Sequence, residues 1–435
     1  MRVYLDNCVF QDLKKEENAE LLALIKASKG EMVYFFSEAH LQDLTRDESY
    51  EKYSDMDFLV QIVDDNCMSY NKTKVQFNLC TPREYYDSFE WGLNYHKDFM
   101  SDSFLSIFKT IPLDFNSLIV AGEAVDAMPN NLKNVLLRPT NLYDFMIAML
   151  DLTESLTQEQ KEFKELLKYL HENSLTYSLY KQIGIDGYDG KDVVDIAAFR
   201  DSFYKYILKE KENGLLYDVF FNMYTQLEFL AIVKGKPKRQ KFMNMINDSK
   251  HGYYGCFCDI VVSKDIDFIR KLKLMYEILQ VNIKVYDISE FSEFLNKKQL
   301  FLSSNFDDLI EEIDFSDDKE IRKEMDEEGN EIWIKPLSKL YFGYFDIQIQ
   351  HSNGNLYFSK EDNKSFTSGT LIKEIEYSTN KLIELLGQDN MNLGQWQKGE
   401  MKEDRDWQGR SRGFTNVFVV LCFTSKLIIM IGKTE

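Results

Sequence analysis

The sequence has little proline, glycine and cysteine for its length. Its 435 residues include 6 Pro, 20 Gly and 6 Cys, which excludes collagen-like, linker-like and low-complexity chains. Sparse cysteines are typical of reduced thiols rather than of a disulfide framework, so we expect a cytoplasmic protein. The longest apolar run, Val417 to Phe423, is far shorter than the roughly 20 residues of a membrane-spanning helix, and no membrane partner is expected.

Positive charge is also scarce. The 52 Lys and Arg residues stand against 72 Asp and Glu residues, giving a net charge of −20, which opposes general attraction to nucleic acid phosphates. Half of this excess lies in one stretch, because residues 307–331 contain 13 acids and 3 bases and so carry a net charge of −10. Any binding site for a polyanion therefore needs a local cluster of bases.

One such cluster is the run KGKPKRQK at residues 234–241, with five bases in eight residues. Lys236, Lys238, Arg239 and Lys241 are its candidate contacts to nucleic acid. The run is compatible with a solvated linker between domains, and equally with a loop that contacts phosphates beside an active site.

The hydrophobic periodicity divides the chain into five segments. Short apolar strands alternate with amphipathic helices in the first and third segments, whereas the second has helical periodicity almost throughout. Neither the first nor the third segment has enough strands to bury its own apolar faces. We therefore expect the two segments to build one parallel α/β sheet together. The predicted organisation is a first α/β part at 1–50, a helical insertion at 51–240, a second α/β part at 241–292, an acidic linker at 293–335 and a C-terminal α+β domain at 336–435.

Four aspartates occupy related places in the predicted α/β parts. Asp6 follows the first strand, Asp43 lies on the helix that Ser37 caps, Asp248 opens a helix and Asp265 follows the strand DIVVS. The carboxyl ends of parallel strands converge on one crevice, where clustered carboxylates repel one another unless a cation neutralises them. Oxygen ligands select Mg²⁺ or Mn²⁺, and such a metal activates water and holds phosphate oxygens.

Four segments of the sequence resemble the PIN-domain family, whose members are metal-dependent nucleases that act mainly on single-stranded RNA. The resemblance covers only residues 1–50 and 241–292. The resemblance rests on the order of the four segments in the chain and on the 17-residue spacing from Asp248 to Asp265. The segments are YLDNCVF around Asp6, SEAHLQDL at residues 37–44, NDSKHGYYGCFCDIVVSKDIDF at residues 247–268 and NIKVY at residues 282–286.

The resemblance implies a discontinuous PIN-like, Rossmann-like sheet and a nuclease site. Asp6, Asp43, Asp248 and Asp265 would be its catalytic metal ligands, and RNA, single-stranded or structured, its substrate. Two departures stand out: about 200 residues separate Asp43 from Asp248, and the second acid is Asp where the family more often has Glu. Glu38 is therefore an alternative second ligand, and Asp267 is an accessory candidate.

Other interpretations stay open at this level. The chain could keep the fold without the chemistry and serve as a scaffold that binds nucleic acid or protein. As an enzyme, it could be a housekeeping ribonuclease, or a toxin or defence effector controlled by a protein partner. His40 and His251 share helices with candidate acids, and such histidines are more often hydrogen-bonded structural residues than phosphate contacts.

Overall fold

Strand β1 (Arg2–Leu5) lies at the centre of a sheet built from distant parts of the chain. It pairs in parallel with β2 (Val33–Ser37) and with β5 (Ile260–Val262), so the predicted joining of the two α/β parts is confirmed. The computed structural model describes residues 1–45, 49–70, 75–88, 112, 128–172, 217–229, 242–279, 281–313, 322–325, 329–352, 356–361, 372–387, 394–396, 411–414, 419–423 and 427–431.

Three further strands complete this sheet, β3 (Asn66–Tyr70), β4 (Val75–Leu79) and β6 (Lys284–Tyr286). Their order is β4-β3-β2-β1-β5-β6, and every neighbouring pair is parallel except β3 with β4. The segment 51–240, predicted as a helical insertion, thus also contributes two strands to this sheet. Buried Cys67 and Met68 extend the apolar surface of the sheet, which explains why this segment is drawn into it.

Helices cover both faces of the first sheet. Within the described residues they are α1 (Asn7–Leu13), α2 (Ala19–Ala27), α3 (Glu38–Leu44), α4 (Glu51–Val63), α5 (Pro82–Ser88), α6 (Asn130–Leu136), α7 (Leu142–Gln158), α8 (Gln160–Glu172), α9 (Tyr217–Phe229), α10 (Phe242–Gly255), α11 (Ile266–Ile278) and α12 (Ile288–Asn296).

The two faces form separate cores because side chains alternate along a strand. Val3 and Leu5 point to the core that α1 to α4 and α12 share, whereas Tyr4 points to the core that α7 to α11 share. Burial on both faces explains why the strands read as continuous apolar runs. The helices of the predicted insertion thus pack on the sheet rather than forming a separate body.

A second, mostly antiparallel sheet follows in the chain. Its order is β12-β13-β14-β11-β10-β9-β7, with β8 paired to β9. Its elements are β7 (Leu302–Ser303), α13 (Phe306–Glu311), β8 (Arg322–Met325), β9 (Glu331–Tyr341), β10 (Phe345–His351), β11 (Leu356–Ser359), α14 (Ile372–Leu386), β12 (Ser411–Phe414), β13 (Val419–Phe423) and β14 (Leu427–Ile431).

This sheet corrects the predicted acidic linker at 293–335. Strands β7 and β8, helix α13 and the start of β9 all fall inside that range. Leu302, Leu309 and Ile334 are buried there, so apolar positions between the acids hold the segment to the C-terminal sheet.

The turn before β2 contacts helix α14, which follows β11 in the chain. Gly30 has φ +105°, and a Cβ atom at this position would lie 2.7 Å from the ring of Tyr377 on α14. Only glycine adopts this conformation without strain and leaves room for the ring. The mixed α/β class predicted from the sequence is confirmed, and no helix within the described residues is long and apolar enough to cross a membrane.

Candidate active site

Asp6 is fixed at the carboxyl end of β1. Its backbone N–H continues the pairing with β5 by donating to the Val262 carbonyl at 2.8 Å. Its side chain caps α1 by accepting from the backbone N–H of Asn7 at 2.7 Å. The other carboxylate oxygen accepts the Ser263 hydroxyl at 2.6 Å and the Cys8 thiol at 3.1 Å. Asp6 therefore has one orientation, set by groups on two adjacent strand ends.

Asp43 reaches the same edge from the last turn of α3. Ser37 ends β2 and caps α3, as the sequence predicts. The Asp43 carboxylate accepts from the Asn7 side-chain amide at 3.0 Å. One oxygen of Asp43 and one of Asp6 each lie 3.9 Å from Nε2 of His251. Two of the predicted acids thus face one buried imidazole.

Asp248 lies inside helix α10, so the prediction that it opens a helix is wrong. The helix begins at Phe242 and packs against α3. Burial raises the pKa of Asp248 to about 7, with further increases from the charges of Asp6 and Asp265 and opposing effects from Lys271 and His251. In the absence of a metal, burial therefore favours the protonated form of Asp248.

Asp265 follows β5 and caps α11. Its side chain accepts from the backbone N–H groups of Asp267 and Phe268 at 2.9 and 3.1 Å, and it is exposed. Its own N–H donates to the Ser263 hydroxyl at 3.1 Å. Because that hydroxyl also donates to Asp6, Ser263 connects Asp265 to Asp6.

The two secondary candidates differ from the main four. Glu38 is ion-paired with Lys250 at 3.1 Å, and the same Lys250 Nζ donates to Gln42 at 3.0 Å. This pairing reduces its value as an alternative ligand. Asp267 lies in the first turn of α11 and is half-buried. The candidate nucleic-acid contacts Lys236, Lys238, Arg239 and Lys241 lie outside the described residues.

The two histidines, which the sequence treats alike, have different surroundings. His40 Nε2 donates to the Leu5 carbonyl at 2.7 Å while its Nδ1 accepts the Ser37 N–H at 3.1 Å, and burial lowers its pKa to about 3. Burial alone would lower the pKa of His251 too, but interactions with Asp43 and Asp6 outweigh it and raise that pKa. Only His251 belongs to the acidic cluster.

Sequence reasoning missed the groups that support the acids. Ser263 is quoted in the family resemblance only as the end of a strand, and Lys271, although buried, lies on a helix among apolar residues. A usable signal existed for Tyr4, because it is two residues before Asp6 and so points to the same side of β1. Its hydroxyl contacts both Ser37 and His251.

The chemistry of these donors fits a hard cation. The cluster is rich in carboxylate oxygens, and the side-chain oxygen of neighbouring Asn247 is buried without a hydrogen bond. However, no group of three or more His, Cys, Asp or Glu side chains in the described ranges is arranged so that it could hold a metal ion. The donor types therefore match Mg²⁺ or Mn²⁺, and no coordination geometry follows from their present positions.

The chain has no match among protein-family models and no significant match among curated proteins or solved structures. The resemblance to the PIN-domain family thus rests on the residues and motifs quoted above.

Proposed function

We propose that this protein is a metal-dependent nuclease of PIN-like fold whose active site is the acidic cluster Asp6, Asp43, Asp248 and Asp265, with RNA as the expected substrate. One observation carries the proposal. Acids that follow β1, β2 and β5, three adjacent parallel strands, meet at one sheet edge together with Asp248 from the helix packed beside them. This is the place where parallel α/β sheets bind their ligands.

The support for a functional cluster is electrostatic. Carboxylates that serve only as helix caps or ion-pair partners gain from their surroundings, as Asp265 does from two N–H groups. Asp248 instead has its pKa raised to about 7 by burial and by neighbouring acids. A buried acid with a raised pKa beside other carboxylates is typical of a catalytic or metal site.

The residues would divide the work as follows. A divalent cation bound among the carboxylates would lower the pKa of a water molecule and offset charge that develops on a phosphodiester. Ser263, Cys8 and the Asn7 N–H hold Asp6 in one orientation, and Asn7 links Asp6 to Asp43. These contacts would restrict the orientations that Asp6 takes toward a bound cation.

A non-catalytic scaffold is the competing function, and a specific observation favours it. Asp6 already accepts three hydrogen bonds, and Asp265 serves as a helix cap. Both carboxylates thus have structural explanations. On this alternative the protein binds nucleic acid or a protein partner and cleaves nothing.

The deciding experiment compares two helix-capping aspartates on the same sheet edge. Asp265 follows β5, and Asp287 follows the adjacent β6 and caps α12 in the same way. Labelled single-stranded RNA, structured RNA and single-stranded DNA are incubated with the protein and Mn²⁺ or Mg²⁺. The proposal predicts RNA cleavage that EDTA stops, that D265N abolishes and that D287N retains.

Absence of cleavage of all three substrates by wild-type protein at saturating metal, with RNA binding intact, would favour the scaffold. Equal loss of cleavage in D265N and D287N would indicate that capping, rather than catalysis, explains Asp265. Growth arrest on expression of wild-type protein but not D265N would identify a toxin or effector role for the activity.

A further inference from the structure

The acidic cluster contains a buried imidazole that neither the motifs nor the proposed chemistry assigns. His251 is 2% exposed, yet its Nε2 lies 3.9 Å from an oxygen of Asp6 and 3.9 Å from an oxygen of Asp43. Both distances exceed ordinary hydrogen-bond length, and the side-chain amide nitrogen of Asn247 lies 3.4 Å from the same Nε2. The imidazole therefore faces both carboxylates.

The ring of His251 is held in this position from its other side. Nδ1 lies 2.8 Å from the Tyr4 hydroxyl, which lies 2.7 Å from the Ser37 hydroxyl. The His40 ring packs edge-on against His251, with ring centroids 4.8 Å apart. Three fixed neighbours thus prevent the imidazole from turning away from the acids.

The neighbouring acids favour one tautomer of the neutral ring. A proton on Nε2 faces the oxygens of Asp6 and Asp43, whereas the opposite tautomer would direct a lone pair at two carboxylates, which is unfavourable. With the proton on Nε2, Nδ1 accepts from the Tyr4 hydroxyl, and the Tyr4 oxygen is free to accept from Ser37.

We propose that His251 is a positioning residue that sets the spacing of Asp6 and Asp43 through its Nε2–H group, with Tyr4 and Ser37 as its support. The inference rests on the proposed function, because the spacing matters only if the two acids bind a common cation. Residues behind metal ligands typically change metal affinity by 10- to 100-fold when replaced. His251 itself does not touch substrate, since it is buried.

The chain offers a matched pair of variants at position 251 and a matched control. Gln can place its amide nitrogen near the position of Nε2, so H251Q retains a donor toward the acids. Asn reaches only the position of Nδ1, so H251N retains the contact with Tyr4 and loses that donor. His351 lies on β10 of the other sheet, where its ring packs against Tyr357; H351Q therefore controls for replacement of a histidine away from the acids.

Mn²⁺ binding is measured by electron paramagnetic resonance titration on the full chain, with circular dichroism to confirm folding. We expect H251N to weaken Mn²⁺ binding about 10- to 100-fold, and H251Q and H351Q to stay close to wild type. If H251N does not fold, Y4F decides, because it removes the hydroxyl that supports Nδ1 and should weaken binding in the same direction.

Three outcomes overturn the inference. Wild-type affinity in H251N, or in Y4F where H251N does not fold, means that His251 does not position the acids. Equal losses in H251N, H251Q and H351Q mean that replacing these histidines weakens Mn²⁺ binding only through the fold. No Mn²⁺ binding by wild-type protein refutes the proposed function as well, so its failure is distinguishable from that of His251 alone.

Discussion

Arg2 and Glu374 form a buried, bidentate ion pair that joins β1 to helix α14, which packs on the C-terminal sheet. The Arg2 guanidinium donates two hydrogen bonds of 3.0 Å to the two carboxylate oxygens, and both side chains are nearly inaccessible to water. Lys360 adds a third donor at 2.8 Å. Burial would raise the pKa of Glu374, but Arg2 and Lys360 hold it well below its usual value.

Removing one partner of this pair should destabilise the whole protein. E374Q leaves Arg2 and Lys360 buried without their counter-charge, which typically costs about 3–5 kcal/mol in the free energy of unfolding. The exposed pair of Arg83 and Asp57 provides the control, and R83Q should cost about 0–1 kcal/mol. Urea unfolding measures both. Similar small losses in the two variants would mean that the C-terminal sheet is not anchored through Arg2.

The pKa of Asp248 predicts how stability depends on pH without metal. The folded value of about 7 exceeds the ordinary 3.8, so the folded chain binds this proton more tightly than the unfolded chain does. The resulting contribution to the free energy of unfolding is present at low pH and is lost as pH rises from about 4 through 7. D248N, which never ionises, should therefore gain stability relative to wild type at pH 8 more than at pH 5.

Asp346 provides the control for this pH experiment. Burial also raises the pKa of Asp346 to about 7, but it lies on β10 of the other sheet. Saturating Mn²⁺ should remove the pH-dependent difference in stability between D248N and wild type. The corresponding difference in stability between D346N and wild type should stay unchanged. Thermal unfolding across pH 5–8 measures this, and an equal response of both variants to Mn²⁺ would contradict a cation site at Asp248.

Ser263 should affect metal binding beyond its effect on stability. S263A removes the hydroxyl that donates to Asp6 and accepts from Asp265. We expect a loss of about 1 kcal/mol in unfolding free energy and a loss of about 10- to 100-fold in Mn²⁺ affinity. S28A is the matched control, since Ser28 is also buried and hydrogen-bonded, to Ile25 and Tyr34. S28A should lose stability and keep its Mn²⁺ affinity. A similar fall in the Mn²⁺ affinity of S28A would show that loss of any buried hydroxyl weakens metal binding.

The basic run at residues 234–241 should bind phosphates of the nucleic acid. Replacing Lys236, Lys238, Arg239 and Lys241 with Gln is expected to weaken RNA binding and to lower the log–log salt slope by about 0.7 for each single-strand phosphate that the variant no longer neutralises. Gln at Lys133, Lys161, Lys164 and Lys168 makes the same charge change on α6 and α8. RNA binding measured across a salt series separates the two quadruple variants. An unchanged salt slope in the variant of the basic run would mean that the run is only a linker.

The hydrophobic pattern of the sequence predicts the apolar strands of the first sheet. The runs at Val33 and Ile260 are recognisable because both sides of those strands are buried. Asp6 and Asp265 are then predicted at the edge of the sheet because each follows the end of an apolar strand. Strand β3 was missed because its sequence NCMSY mixes polar and apolar residues, and its pairing with β2 is a tertiary effect.

The surroundings of the acids were less predictable. Tyr4 and His251 are 247 positions apart in the chain, and no local spacing indicates that they touch. Asp248 was expected at a helix start because Asn-Asp is common N-cap chemistry, yet its helix begins at Phe242. Which of the four acids has a raised pKa depends on how deeply it is buried in the folded chain. The sequence alone does not show that burial.

The central claim is that the acids at this sheet edge hold a divalent cation. A crystal structure with Mn²⁺ soaked into wild-type protein and into D248N tests it through anomalous scattering. The account predicts a peak in direct contact with Asp6 and with at least one of Asp43, Asp248 and Asp265, and a weaker peak or none in D248N. A wild-type structure at saturating Mn²⁺ with no peak among these carboxylates would contradict it.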